Sequence, residues 1–142
     1  MITTYSLKRD GETNITPNFK VREFRSKCGS DTILIDVPFV VNFLQKIREH
    51  FEVPITVISA YRSPAHNKKV KGAPSSLHLQ GRAFDIRVAG KTPLQVAQFA
   101  ETLGIQGIIQ YNTSTHIDSR TTRYFARDNN GKITKKTTFI KK

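Results

Sequence analysis

Residues 75–88 read SSLHLQGRAFDIRV. His78 and Asp85 flank Gly81 in this stretch, seven residues apart. Seven extended residues cover about 23 Å and seven helical residues rise about 10 Å, so neither regular form brings the two side chains together. If His78 and Asp85 act at one point, the chain must fold back between them. Gly81 can adopt the turn conformations that other residues avoid. RAFDIRV (82–88) then reads as a strand, with Ala83, Asp85 and Arg87 on one face and Phe84, Ile86 and Val88 on the other. Asp85 points opposite to the apolar set, and the small Ala83 leaves room beside it.

The rest of the chain supplies elements on either side of this turn. Phe19, Val21 and Phe24 are expected to pack onto the main body. Asp36 reads as an N-cap with Pro38 in the first turn. Val37, Val40, Val41, Leu44, Ile47 and Phe51 follow at helical spacing, predicting a helix over 37–51. ITVISAY (55–61) alternates and is β-branched, as a strand would be. Ser63-Pro64 opens a short helix through Val70, and KGAPSS is a loop. Thr92-Pro93 starts a helix through Leu103 that Gly104 stops, with Val96, Phe99, Ala100 and Leu103 on its buried stripe. Segments 107–111 and 115–119 read as two more strands, and Asn-Gly within RDNNGKIT predicts a hairpin. The fold class is α+β: a small, mostly antiparallel sheet with helices packed on it, in a single domain spanning 1–142. KITKKTTFIKK at its end reads as part of that hairpin or as a solvated tail.

His116 and Asp118 are two apart and share one strand face. His78, Asp85 and His116 together make a common zinc set that leaves a fourth position open. The plain alternatives are a packed, hydrogen-bonded His78 and an Asp85 that guards a sheet edge against aggregation. Asp118 has three readings: general base, a group that orients a ligand histidine, or a surface aspartate paired with Arg120 or Arg123. His50 reads as a helix C-terminal residue, His66 as a surface or cleft residue, and Cys28 as a packed or free thiol. Tyr61 and Tyr111 are open between substrate stacking and the core.

SLHLQGRAFD (76–85) fits the pattern S-x-H-x-x-G-x-A-x-D at every fixed position, and resembles the zinc D-Ala-D-Ala carboxypeptidase and endolysin peptidase family, which shares its fold with the hedgehog signalling domain. ISAYRSPAHNKKVKGAPSS upstream is similar to that family's Y-R-S-P segment with its asparagine and Gly-Ala loop. THIDSR is similar to its H-x-D strand, and NFKVREFRSK to its lead-in segment, so the likeness spans residues 17–125, followed by a basic C-terminal hairpin or tail over 122–142. The resemblance implies zinc held by His78, Asp85 and His116. It implies Arg62 facing a substrate carboxylate or developing oxyanion, Ser76 hydrogen-bonding substrate beside the metal, and Asp118 in or next to the metal shell. Where many relatives carry a catalytic acid, three residues before the last histidine, this chain has Thr113; the hedgehog-type spacing gives Gln110. Asp118 is then the expected base.

Composition narrows the setting. Twenty-three Lys and Arg against 11 Asp and Glu give a net charge of +12, which attracts polyanions such as nucleic acid or a bacterial envelope. The chain has no recognisable basic recognition helix or zinc-finger spacing, so nucleic acid is not expected as a partner. The single cysteine permits no internal disulfide. No apolar run suits a membrane span or a signal-peptide core. The expected protein is a monomeric zinc peptidase acting on peptidoglycan peptides next to D-amino acids. It is expected to be a phage or prophage lysis enzyme, made in the cytoplasm and acting at the wall after release. The alternative is a non-catalytic zinc-containing wall- or partner-binding module of the same fold.

Overall fold

The computed structural model of the protein describes residues 1–141. A six-stranded sheet carries the architecture, in the order β10-β9-β7-β8-β6-β5. Its strands are β5 (Ile55–Ser59), β6 (Ala83–Val88), β7 (Gly107–Gln110), β8 (Thr115–Asp118), β9 (Tyr124–Asn129) and β10 (Lys132–Lys135). Every pairing is antiparallel except β7 with β9, which is parallel. The observed mixture of helices and mostly antiparallel strands agrees with the α+β expectation.

The alternation in β6 sorts as expected. Phe84, Ile86 and Val88 enter the core at 4 % exposure or less, while Arg87 is solvent-exposed. Phe84 stacks on Phe39 at 5.3 Å and meets Phe24 edge-on at 5.7 Å. Burying one such ring stabilises by about 1.5–3 kcal/mol. Helix α5 (Pro93–Thr102) packs across β6, β7 and β8. Its start is a reciprocal cap: Gln95 N donates to Thr92 Oγ1 and Thr92 N donates to Gln95 Oε1.

Two differences from the expected elements have physical causes. Residues 37–51 form one helical run built of α2 (Val37–Phe39), a π segment (Val40–Leu44) and α3 (Gln45–Phe51). The wider π winding breaks the 3.6-residue period, and Val41 leaves the expected buried stripe at 42 % exposure. The N-terminal segment is also more ordered than its sequence suggests. β1 (Ile2–Ser6) pairs with β4 (Thr32–Asp36), helix α1 (Leu7–Asp10) follows β1, and β2 (Asn14–Thr16) pairs with β3 (Phe19–Lys20).

The expected hairpin forms from β9 and β10, with Asn130 and Gly131 both at positive φ. The segment after it is not a solvated tail. Phe139 is buried against Phe125, its N–H donates to Glu101, and its carbonyl accepts from Gln98. These contacts bind residues 138–139 to α5. Lys142, the last residue of the expected tail, lies outside the described residues. Among the described residues, no helix is long and apolar enough to cross a membrane.

Candidate metal centre

The turn between His78 and Asp85 is a single 3₁₀ winding, Leu77–Gln80, closed at both ends. Ser76 Oγ caps it by accepting from His78 N at 3.2 Å. Gly81 ends it in the left-handed region, at φ +72°. A Cβ on Gly81 would strike the Leu34 carbonyl of β4, and the Gly81 carbonyl itself accepts from Asp36 N at 2.9 Å. Glycine is therefore required twice, for its backbone conformation and for the close approach of β4. The fold-back leaves His78 buried, with Nδ1 at 2.6 Å from the Ala60 carbonyl. The Ala60 carbonyl can only accept, so Nδ1 donates to it and Nε2 is the nitrogen turned to the cleft, 3.3 Å from Asp85 Oδ2.

The opposite wall is made by strand register. Asp85 and His116 are direct Cα partners across β6 and β8, and Asp85 Oδ1 lies 2.8 Å from His116 Nδ1. Asp118 stands behind His116, with Oδ2 at 2.7 Å from Nε2. It is fully buried, and Arg120 donates to it through Nε at 2.8 Å and Nη2 at 2.7 Å, with a further bond from Arg120 N. The Asp118 carboxylate fits because its neighbours on both adjacent strands, Ala83 and Gly107, are small. A Cβ on Gly107 would occupy the position of that carboxylate.

Arg62 and Ser76 border the same cleft, a hollow of about 590 Å³ that His78, Asp85 and His116 also line. Arg62 lies 3.6 Å from Asp85 Oδ2 and is held by Ser59 Oγ and Asn67 Oδ1. Asn67 is buried and anchored by donating to the Ala73 carbonyl. Asn67 and Gly107 are site residues with no expected role there, while the sequence reads Arg120 only as a surface partner of Asp118 and leaves Tyr111 open between substrate stacking and the core. Of the first two, only Asn67 carries a signal, as the asparagine after Y-R-S-P. Tyr111 is half-buried in the cleft wall, whereas Tyr61 belongs to the core. Cys28 and His66 do not line the cleft, His50 stacks on Phe99 at 3.7 Å, and Thr113 is bound by Arg87.

The charges are strongly coupled. Burial alone would raise the Asp85 carboxyl, but hydrogen bonds from His116 and His78 outweigh it and hold the group well below the ordinary carboxylate range. Asp118 is likewise pushed up by burial and pulled further down by His116 and Arg120. Burial opposes charge on His116 as well, yet Asp118 and Asp85 raise it to about 9. Burial, then the negative charge of Asp85, pushes the Tyr111 phenol up to about 12, so it keeps its proton at neutral pH.

One ligand atom from each of His78, Asp85 and His116 lies within 4.8 Å of the others, a spacing that can hold a metal ion. The fit goes beyond distance. Each histidine has its second nitrogen engaged by an orienting acceptor, Ala60 O for His78 and Asp118 for His116, the arrangement that fixes tautomer and ring direction at metal sites. Two imidazoles and one carboxylate suit a borderline divalent ion.

The Peptidase M15 family model matches residues 17–118, well over half of the chain. A Haemophilus influenzae protein described as the probable peptidoglycan L,D-endopeptidase MepK is 38 % identical over 72 residues, covering 46 % of this chain and 39 % of that protein. The chain thus spans well under two thirds of the length of the curated relative it matches. The turn and the two strands that carry His78, Asp85 and His116 lie inside the matched region, and the chain belongs to the Peptidase M15 family.

Proposed function

We propose that this protein is a zinc-dependent peptidase that hydrolyses amide bonds next to D-amino acids in peptidoglycan peptides. The observation that carries the reading is the convergence of His78, Asp85 and His116 in one cleft of a Peptidase M15 chain. The peptidoglycan relative supports the substrate class. The net charge of +12 suits a polyanionic wall, and the reading extends to a lysis role in a phage or prophage.

His78, Asp85 and His116 would hold the metal. Bound zinc would act as a Lewis acid on the scissile carbonyl and lower the pKa of water. Asp118 keeps the proton of His116 on Nε2 and so presents Nδ1 to the cleft. Both of its oxygens are engaged, which favours the orienting role over that of general base. Tyr111 offers its O–H to a developing oxyanion. Arg62, held in place by Ser59 and Asn67, offers a fork to a substrate carboxylate or to the same oxyanion. Ser76 caps the turn with Oγ and can still donate its hydroxyl proton to substrate.

One observation favours the non-catalytic alternative: Asp85 is the only carboxylate lining this cleft among the described residues. Digestion of purified peptidoglycan by the zinc-loaded protein, followed by mass spectrometry, separates the two. Free D-alanine would identify a carboxypeptidase and larger fragments an endopeptidase, both lost in His78→Ala. An intact wall with zinc bound would remove the peptidase reading, and co-sedimentation of the protein with that wall would then establish the binding module.

A further inference from the structure

The cleft does not end at the three ligand residues. A second hollow of about 530 Å³ shares Arg62, Asp85 and Tyr111 with it and runs on to Asn112, Asp128 and Asn130. Shared walls make the two hollows one groove. Its far wall is the turn of the β9–β10 hairpin, and polar bonds hold that wall in place. Asn112 Nδ2 donates to Asn129 Oδ1 at 3.1 Å and to Asn130 Oδ1 at 3.0 Å, and Gly131 N donates to Asp128 Oδ1 at 2.8 Å.

The two ends of the groove differ in charge. Arg62 lies on the wall the two hollows share, and Arg120 lines the first hollow alone. Among the described residues, Asp128 is the only ionisable group the second hollow adds to the shared walls. Asp128 is half-buried, and its Oδ2 has no partner among the hydrogen bonds and ion pairs of the described residues. At the hairpin end, where the second hollow otherwise adds the amides and hydroxyls of Asn112, Thr113, Ser114 and Asn130, a carboxylate left open in a chain of net charge +12 can select a cation. Its field reaches the shared wall, where it adds to burial and Asp85 in raising the Tyr111 phenol.

We propose that the hairpin end of the groove is a subsite for a substrate residue bearing a primary ammonium group, bound by Asp128. The subsite rests on the peptidase reading, and it orients the peptide: an ammonium at the hairpin end, a carboxylate or carbonyl at Arg62. Asp128 is a specificity residue, since it meets a substrate side chain away from the reacting amide.

The test compares two stem pentapeptides ending in D-Ala-D-Ala, one with lysine and one with norleucine at the third position, on the zinc-loaded protein. Affinity is read as KM where the peptides are cut and as Kd by calorimetric titration where they are not. The lysine peptide binds about five- to tenfold tighter to the parent protein, as one charge-assisted hydrogen bond in a half-exposed site would give. In Asp128→Asn, which retains an oxygen to accept from Gly131 N, that ratio falls to near one. A third peptide, with the lysine acetylated, repeats the comparison on the parent protein without any variant and behaves like norleucine. Equal affinity of the parent for lysine and norleucine peptides overturns the subsite. Discrimination without cleavage keeps the subsite and removes the peptidase reading, while cleavage without discrimination does the reverse. Neither binding nor cleavage of either peptide overturns both.

Discussion

The two histidines of the candidate centre are held in different ways. His78 sits on a one-turn 3₁₀ winding, and its second nitrogen is fixed by a neutral backbone carbonyl. His116 sits within β8, which pairs on both edges, and its second nitrogen is fixed by a buried carboxylate that Arg120 neutralises. The turn wall therefore depends on backbone shape, and the strand wall on charge. A backbone carbonyl keeps its form at any pH and is not removed by side-chain substitution. The charged wall responds to both, so most tests of the site act on His116.

The largest effect is expected at Gly107. Gly107→Ala places a methyl group where the Asp118 carboxylate lies. Displacing that carboxylate leaves Arg120 and His116 without their partner, and breaking a buried charge pair costs about 3–5 kcal/mol. Thermal unfolding should fall by about 10 °C for a chain of this size, with loss of zinc affinity. The matching change on the turn wall, Gly81→Ala, imposes a left-handed φ on alanine, about 1–2 kcal/mol, besides crowding the Leu34 carbonyl. Unchanged melting of Gly107→Ala would remove the charged wall from the account.

Asp118→Asn is the next in size. It keeps the shape and loses the charge that holds the proton on His116 Nε2. An orienting role predicts roughly 10–100-fold weaker zinc binding, with turnover recovering at saturating zinc. Full zinc affinity with collapsed turnover would restore Asp118 as the general base.

The walls should also separate by pH. In the metal-free protein the His116 pKa rises from 6.5 to about 9. A group raised on folding stabilises fully below its unfolded pKa and loses that contribution as pH rises through its folded value. The metal-free protein should therefore melt lower at pH 9 than at pH 6.5, and Asp118→Asn should flatten most of that slope. Zinc binding below about pH 9 should release a proton from His116, visible calorimetrically as a dependence of the binding heat on buffer. A pH-independent melting temperature between 6.5 and 9 would contradict the coupling.

The smallest of these effects concerns Arg62, which borders the cleft from the turn side. Arg62→Lys keeps the charge and loses the fork held by Ser59 and Asn67. Catalytic efficiency should fall about tenfold, the worth of one charge-assisted hydrogen bond, with zinc content unchanged. Equal efficiency would take Arg62 out of the site.

The same contrast explains what could be read in the sequence. Turn-wall features are local. Gly81, the Ser76 cap and the alternation of β6 act within a few residues of His78, so their meaning survives in a short quoted stretch. The α5 start was legible for the same reason, since Thr92, Pro93 and Gln95 form one cap. Strand-wall features depend on register between distant segments. Spacing puts His116 and Asp118 on one face, but it does not say that Asp118 lies behind the histidine. That follows from Ala83 and Gly107 opposite it on two other strands. The β1–β4 pairing and the parallel β7–β9 pairing were likewise illegible, because each joins segments separated by other structure. The basic end of the chain reads as solvated by composition, yet the buried Phe139 ring and the bonds of residues 138–139 to Gln98 and Glu101 dock it.

The most direct measurement is zinc content by mass spectrometry of the purified protein and of His78→Ala after dialysis against a chelator and reloading, with wall-peptide hydrolysis assayed on the same samples. About one zinc per chain is expected in the parent, in line with sites of three protein ligands. His78→Ala should show neither tight zinc nor hydrolysis, while keeping the charged His116 wall and its pH-dependent melting. A His78→Ala protein that retains full zinc and full turnover would contradict the assignment of His78, Asp85 and His116 as the metal centre.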